Sequence, residues 1–147
     1  MIQNDKEPLL KDICARLPYG VCYRHLVWDD EHGEDYIAAK IYSINSDGYV
    51  KNCYDDECNY IDNVRPYLFP LSSLTEEQRN NISQLLLDTQ NEFPPYGELN
   101  IKGCDNLFIC SVKQSNALIN YCLINHLDIN GLIEKGLAID ATGLDIY

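Results

Sequence analysis

Residues 35–54 carry a strand-turn-strand signal that leaves the chain few alternatives. Over 35–44, Tyr36, Ala38, Lys40 and Tyr42 fall on one side of an extended backbone and Ile37, Ala39, Ile41 and Ser43 on the other. Asn45-Ser46-Asp47-Gly48 then supplies a turn, because glycine takes positive φ without cost and Asn and Asp bond to nearby backbone. Residues 49–54 return as a partner strand. A run of this kind is satisfied by antiparallel pairing, and further strands are needed before such a pair is stable in water.

The flanking sequence supplies them. Residues 21–28 are rich in β-branched and aromatic side chains and read as a strand, with 29–33 as a polar turn into the next. A short segment at 60–64 reads as a fourth strand, and Tyr67-Leu68-Phe69, bracketed by Pro66 and Pro70, as an extended piece leading out of the sheet. Three or four short strands with tight turns point to a small curled antiparallel sheet or an SH3-like barrel.

Helical spacing appears on either side. Pro8, Leu9, Ile13 and Leu17 fit a short helix over 7–17 that ends at Pro18-Tyr19-Gly20. Thr75 followed by Gln78 makes a capping box for a helix ending near residue 91, with Ile82, Leu85 and Leu86 as its apolar stripe. Ser111 and Gln114 repeat that spacing before a second long helix over 112–127, whose broad apolar surface predicts cover on more than one side. Residues 96–106 are turn-rich, 107–109 read as a short strand or an apolar approach to the helix, and 137–139 as a docked extended segment. The expected fold is therefore α+β, with a short helix and β-rich unit in 1–70 and a helical unit in 71–147, packed as one compact domain.

Charge narrows the function. With 23 acidic and 11 basic residues the formal charge is −12, so direct binding to a nucleic-acid backbone is disfavoured by repulsion. Residues 29–66 hold ten of the acids against three bases. No apolar run is long enough to cross a bilayer, and the first residues lack the pattern of a secretory signal, so the cytoplasm is the expected location. The seven cysteines are irregularly spaced and read as reduced thiols packed as small hydrophobes.

Catalytic and metal-binding patterns are missing. There is no Walker, Rossmann, HExxH or nucleophile-elbow sequence. Strand alternation puts Cys22 and His25 on opposite faces, and Cys110 and His126 lie about 24 Å apart if one helix joins them. Cys53 and Cys58 are spaced too widely for a zinc knuckle, and Asp29, Asp30, Glu31, His32, Glu34 and Asp35 lack the spacing of a calcium loop, so no cofactor and no metal are expected. Tyrosines gather in the predicted sheet, where they suit a core or an interface equally. The candidate interaction surface is Trp28, Asp29, Asp30, Tyr36, Tyr42, Asp55 and Asp56: rings exposed together beside the acidic turn favour a docking role, and buried rings count against it.

Three segments, KDICARLPYGV at 11–21, VRPYLFPLSSLTEE at 64–77 and NGLIEKGLA at 130–138, resemble uncharacterised small proteins of phages and mobile elements of gut Bacteroides. This chain departs from them in carrying more cysteines and a longer irregular stretch at 92–110. The resemblance implies a genetic context and no activity, ligand or catalytic residue. The residues in these segments read as structural: Arg16 and Arg65 as ties to carbonyls or a carboxylate, Gly20 and Gly136 as turn or helix-end glycines, Pro66 as a bracket and Thr75 as a cap. The expectation is a non-catalytic interaction or accessory protein with a protein partner, self-association remaining open. An acidic inhibitor standing in for nucleic acid is the alternative, and a cryptic metal-dependent enzyme a third class.

Overall fold

A computed structural model describes residues 3–30, 33–54, 58–87, 97–101, 104–109 and 112–147. The fold is α+β with a curled four-stranded antiparallel sheet, in the order β1-β2-β3-β4. Two compact units divide the chain: Met1–Leu68 with Asn130–Tyr147, and Phe69–Ile129. This differs from the expected division into 1–70 and 71–147, because the last segment returns to the first unit through backbone pairing that sequence periodicity does not reveal.

In the first unit, helix α1 spans Gln3–Arg16 and contains Pro8. It begins earlier than the expected residue 7, so Pro8 sits past the first turn, where the missing N–H removes one helical bond. Leu9 and Ile13, both fully buried, anchor that helix in the core. Gly20 closes the 3-10 turn Leu17–Tyr19 at φ +77°, and a Cβ there would lie 2.6 Å from the Lys40 side chain.

Strand β1 (Cys22–Asp29) pairs with β2 (Gly33–Ile44) along its whole length, from Cys22 opposite Lys40 to Asp29 opposite Gly33. A register shift between Ile41 and Ser43 bends β2, so that its second half pairs with β3 (Tyr49–Asn52) instead. The connecting turn is held by Asn45, whose Oδ1 accepts from the backbone N–H of Asp47 and Tyr49 at 3.0 and 2.9 Å. Strand β4 is Cys58–Tyr60, earlier than the expected 60–64, where Ile61–Asn63 form a 3-10 turn that buries Ile61. The chain then runs back along the free edge of β1, with the Arg24 N–H donating to the Arg65 carbonyl at 3.1 Å and Tyr23 bridging Pro66. The sheet is thereby curled into a half-barrel. Next, β5 (Tyr67–Leu68) pairs in parallel with β8 (Ile139–Asp140). The core joins Val21, Ala39, Ile41, Val50, Leu68 and Leu132.

In the second unit, Thr75 and Gln78 exchange the two bonds of a capping box at 3.1 and 2.9 Å, and helix α2 follows as Glu76–Leu87. The expected end near residue 91 lies outside the described residues. Strands β6 (Gly97–Ile101) and β7 (Cys104–Ile109) pair as antiparallel neighbours; the short strand that is one alternative at 107–109 lies within β7, while strand replaces the turns expected over 96–106. Helix α3 (Val112–Ile124) packs Leu118 and Cys122 with Ile82 and Leu86 of α2. It also meets β7 and buries Leu123, while Ile119 and Ile124 stay 42% and 52% exposed. The helix ends three residues before the expected 127, because His126 turns left-handed at φ 54°. Leu127 N–H then bonds Cys122 O and His126 N–H bonds Leu123 O, a Schellman ending with histidine in the usual glycine place.

Candidate functional site

The β1–β2 ribbon has two faces of opposite character. Tyr23 and His25 turn inward, at 1% and 4% exposure, so Arg24, Leu26 and Trp28 must turn outward. Their register partners Ala38, Tyr36 and Glu34 share that outward face. Leu26 lies directly opposite Tyr36, and Trp28 is the diagonal neighbour of Tyr36, roughly 7–8 Å away between Cα atoms. Trp28 is 73% exposed, Tyr36 53% and Leu26 48%. Isolated exposed apolar residues are ordinary, but an adjacent trio on one sheet face is the kind of feature that marks a contact surface. The Arg24 guanidinium lies over the Tyr36 ring at 4.8 Å from its centroid, within cation–π reach.

Among the residues named from sequence, Trp28 and Tyr36 are thus neighbours. Tyr42 is also exposed and on the same side of β2, yet six residues further along, about 20 Å from Tyr36 at the rise of an extended strand. It stands outside the patch. Asp29 pairs with Gly33 through the backbone, and Asp30 is exposed in the following turn. Glu34 and Asp35 are exposed at the start of β2. Asp55 and Asp56 lie outside the described residues, as do Glu31 and His32. Sequence reading missed Arg24, Leu26 and Glu34. The alternation from Arg24 to Trp28 was the available signal, and it becomes decisive only once the inward face is known.

That inward face carries a polar network. The Tyr23 hydroxyl accepts from Asn52 Nδ2 and Asn59 Nδ2 at 2.9 and 3.0 Å and lies within hydrogen-bond distance of His25 Nδ1 at 3.1 Å. The Asn52 carbonyl oxygen also accepts the Tyr54 N–H at 2.7 Å, so the network is tied into the sheet. Its chemistry is that of a satisfied buried cluster that fixes ring positions. Burial pushes the Cys22 thiol upward against the opposing pull of Lys40, and a thiol held protonated is a weak nucleophile.

The remaining named residues hold the scaffold. Arg16 donates to Asp12 through Nε at 2.7 Å and Nη2 at 3.1 Å, and both side chains are fully buried. Asn130 Nδ2 donates to the same carboxylate at 2.7 Å, which joins two of the segments that carry the resemblance. Arg65 Nη1 donates to the carbonyls of Asp62 and Val64, both at 2.9 Å. Pro66 sits in the bridge to β1, and Gly136, at φ +69°, ends the turn before Leu137.

Two open clefts lie among the described residues. One, of about 420 Å³, is lined by Glu7, Pro8, Lys11, Asn130 and Lys135, but Lys11 is paired with Glu7 at 2.7 Å and Lys135 donates to the Asn130 carbonyl. The other, of about 330 Å³, is lined among the described residues by Asn81, Gln84, Leu85 and Tyr121. Among the described residues no three His, Cys, Asp or Glu side chains gather in a way that could hold a metal ion. No helix among them is long and apolar enough to cross a membrane. Comparison of the chain with protein-family models, curated proteins and solved structures finds no match.

Proposed function

We propose that this chain is a non-catalytic interaction protein, of the accessory kind found in phages and mobile elements, that docks a protein partner on the outward face of the β1–β2 ribbon. The observation that carries this reading is the 73% exposure of Trp28 beside Leu26 and Tyr36. Tryptophan, tyrosine and arginine are the residues that most often dominate binding energy at protein interfaces, and all three stand together here. The rings are presented by a paired ribbon whose other face is locked into the core, so docking requires little ordering of the surface. The free thiols of Cys14, Cys22, Cys53, Cys58 and Cys122 suit a reducing, cytoplasmic setting.

Recovery of a defined partner from the cells that express the chain tests this reading, with wild type compared against a Trp28→Ala/Tyr36→Ala double variant. The expected result is one saturable partner whose affinity falls by about 10- to 100-fold, as removal of one or two interface hot spots implies. Equal recovery by wild type and variant would remove the ribbon face from the function. Displacement of the partner by duplex DNA would instead favour an acidic mimic of nucleic acid.

A further inference from the structure

We infer that the occupant of this face is a basic segment of the partner, with arginine or lysine side chains laid over the Trp28 ring; this rests on the docking role proposed above. Three observations converge on it. Between Arg24 and Lys40 the sequence holds no lysine or arginine and five acidic residues, of which Asp30, Glu34 and Asp35 are described and exposed at the ribbon's end. Glu34 is the register partner of Trp28, so the most exposed ring of the patch has an acidic residue directly across from it. A ring face flanked by a carboxylate attracts a cation twice over, through the ring quadrupole and through charge.

The protein already uses this pairing within itself. Arg24 covers the Tyr36 ring at 4.8 Å from its centroid on this same face. Trp28 offers the next ring along the same face as Tyr36, one strand step towards the acidic end, and indole is the strongest cation–π acceptor among the side chains. Other occupants fit the charge less well. A second copy would bring another −12 and the same acidic ribbon end against this one, and nucleic acid or an anionic lipid surface would be repelled in the same way.

The test is an NMR titration of the ¹⁵N-labelled full chain with a twelve-residue peptide of alternating arginine and glycine. A second peptide with citrulline in place of each arginine keeps the shape and removes the charge. The expected result is a saturable shift of the Trp28 indole N–H and of amides from Arg24 to Ala38, with the citrulline peptide at least about 10-fold weaker. Trp28→Ala should weaken the arginine peptide about 5-fold and Glu34→Gln about 2- to 3-fold, the range expected for exposed cation–π and ion-pair contacts. Half-molar salt should weaken it further. Both substitutions are at exposed positions, so folding is not at stake.

Equal binding of the citrulline peptide, no shift at Trp28, or shifts as large at Glu76 and Glu77 as on the ribbon would each overturn the inference. If the partner recovered from cells is still lost with Trp28 and Tyr36 but is insensitive to Glu34→Gln and to salt, the docking face stands and its basic occupant does not. If recovery is indifferent to Trp28 and Tyr36, the docking role itself falls.

Discussion

Removal of the Asp12 carboxylate is the sharpest way to test how the first unit is held together. Arg16 is fully buried with two N–H···O bonds to Asp12, and Asn130 adds a third bond to the same group from a residue 118 positions away. In Asp12→Ala the guanidinium keeps its charge and loses its counter-ion in a site without access to water. Breaking a buried pair in this way costs about 3–5 kcal/mol, against a total stability of roughly 5–15 kcal/mol for an ordinary domain. With a urea slope of about 2 kcal/mol/M, the midpoint should fall by roughly 2 M. Far-UV circular dichroism follows the transition, and amide exchange in β1 and β2 assigns the loss to the first unit. The double variant Asp12→Leu/Arg16→Met removes both charges and should recover most of the loss, since Asn130 is exposed and water can take the vacated bond. A loss below about 1 kcal/mol in Asp12→Ala, or a double variant as unstable as the two singles combined, would refute the reasoning.

Other perturbations probe separate features. Thr75→Ala removes one half of the capping box and should cost the second unit about 1 kcal/mol, read as faster amide exchange in α2. His126→Val places a β-branched residue at φ 54° and should cost about 1–3 kcal/mol in thermal unfolding, whereas His126→Asn, which tolerates that conformation, should cost less. Stability should also fall at high pH. Burial raises the hydroxyl of Tyr147, which donates to the Tyr67 carbonyl at 2.6 Å, and burial likewise raises Tyr67 itself and the Cys22 thiol. For groups raised in the native state the neutral form is favoured there. Their contribution is complete below the ordinary values of 9.0 for the thiol and 10.0 for the hydroxyls, and is lost as pH rises through the native values. The urea midpoint should therefore hold steady from about pH 7 to 8.5 and decline above about 9, with a shallower decline in Tyr147→Phe; an unchanged slope in that variant would exclude Tyr147 as a source.

The features readable along the chain were those completed within a few residues. The Asn45 turn bonds to positions two and four ahead, and Thr75 and Gln78 cap each other three apart, so residue type and spacing alone describe them. Most of the β6–β7 pair was opaque because residues 96–106 show no clean alternation. The interaction face was half legible. Trp28 and Tyr36 stood out by type, but Tyr42 looked equivalent until the length of β2 set it about 20 Å away.

The sequence by itself therefore determined an acidic α+β chain with an antiparallel hairpin at Asn45 and a capped helix after Thr75, because short-range hydrogen bonds and side-chain alternation depend on neighbours along the backbone. Only the tertiary structure decided that Asn130 meets Asp12, that Ile139 pairs with Tyr67, and that Leu26 and Trp28 face outward while Tyr23 and His25 are enclosed. Both faces of β1 carry rings and apolar groups, so alternation defines two sets without naming the buried one. The packing of α1 and the curl of the sheet make that choice, and with it they decide which aromatic rings are available to a partner.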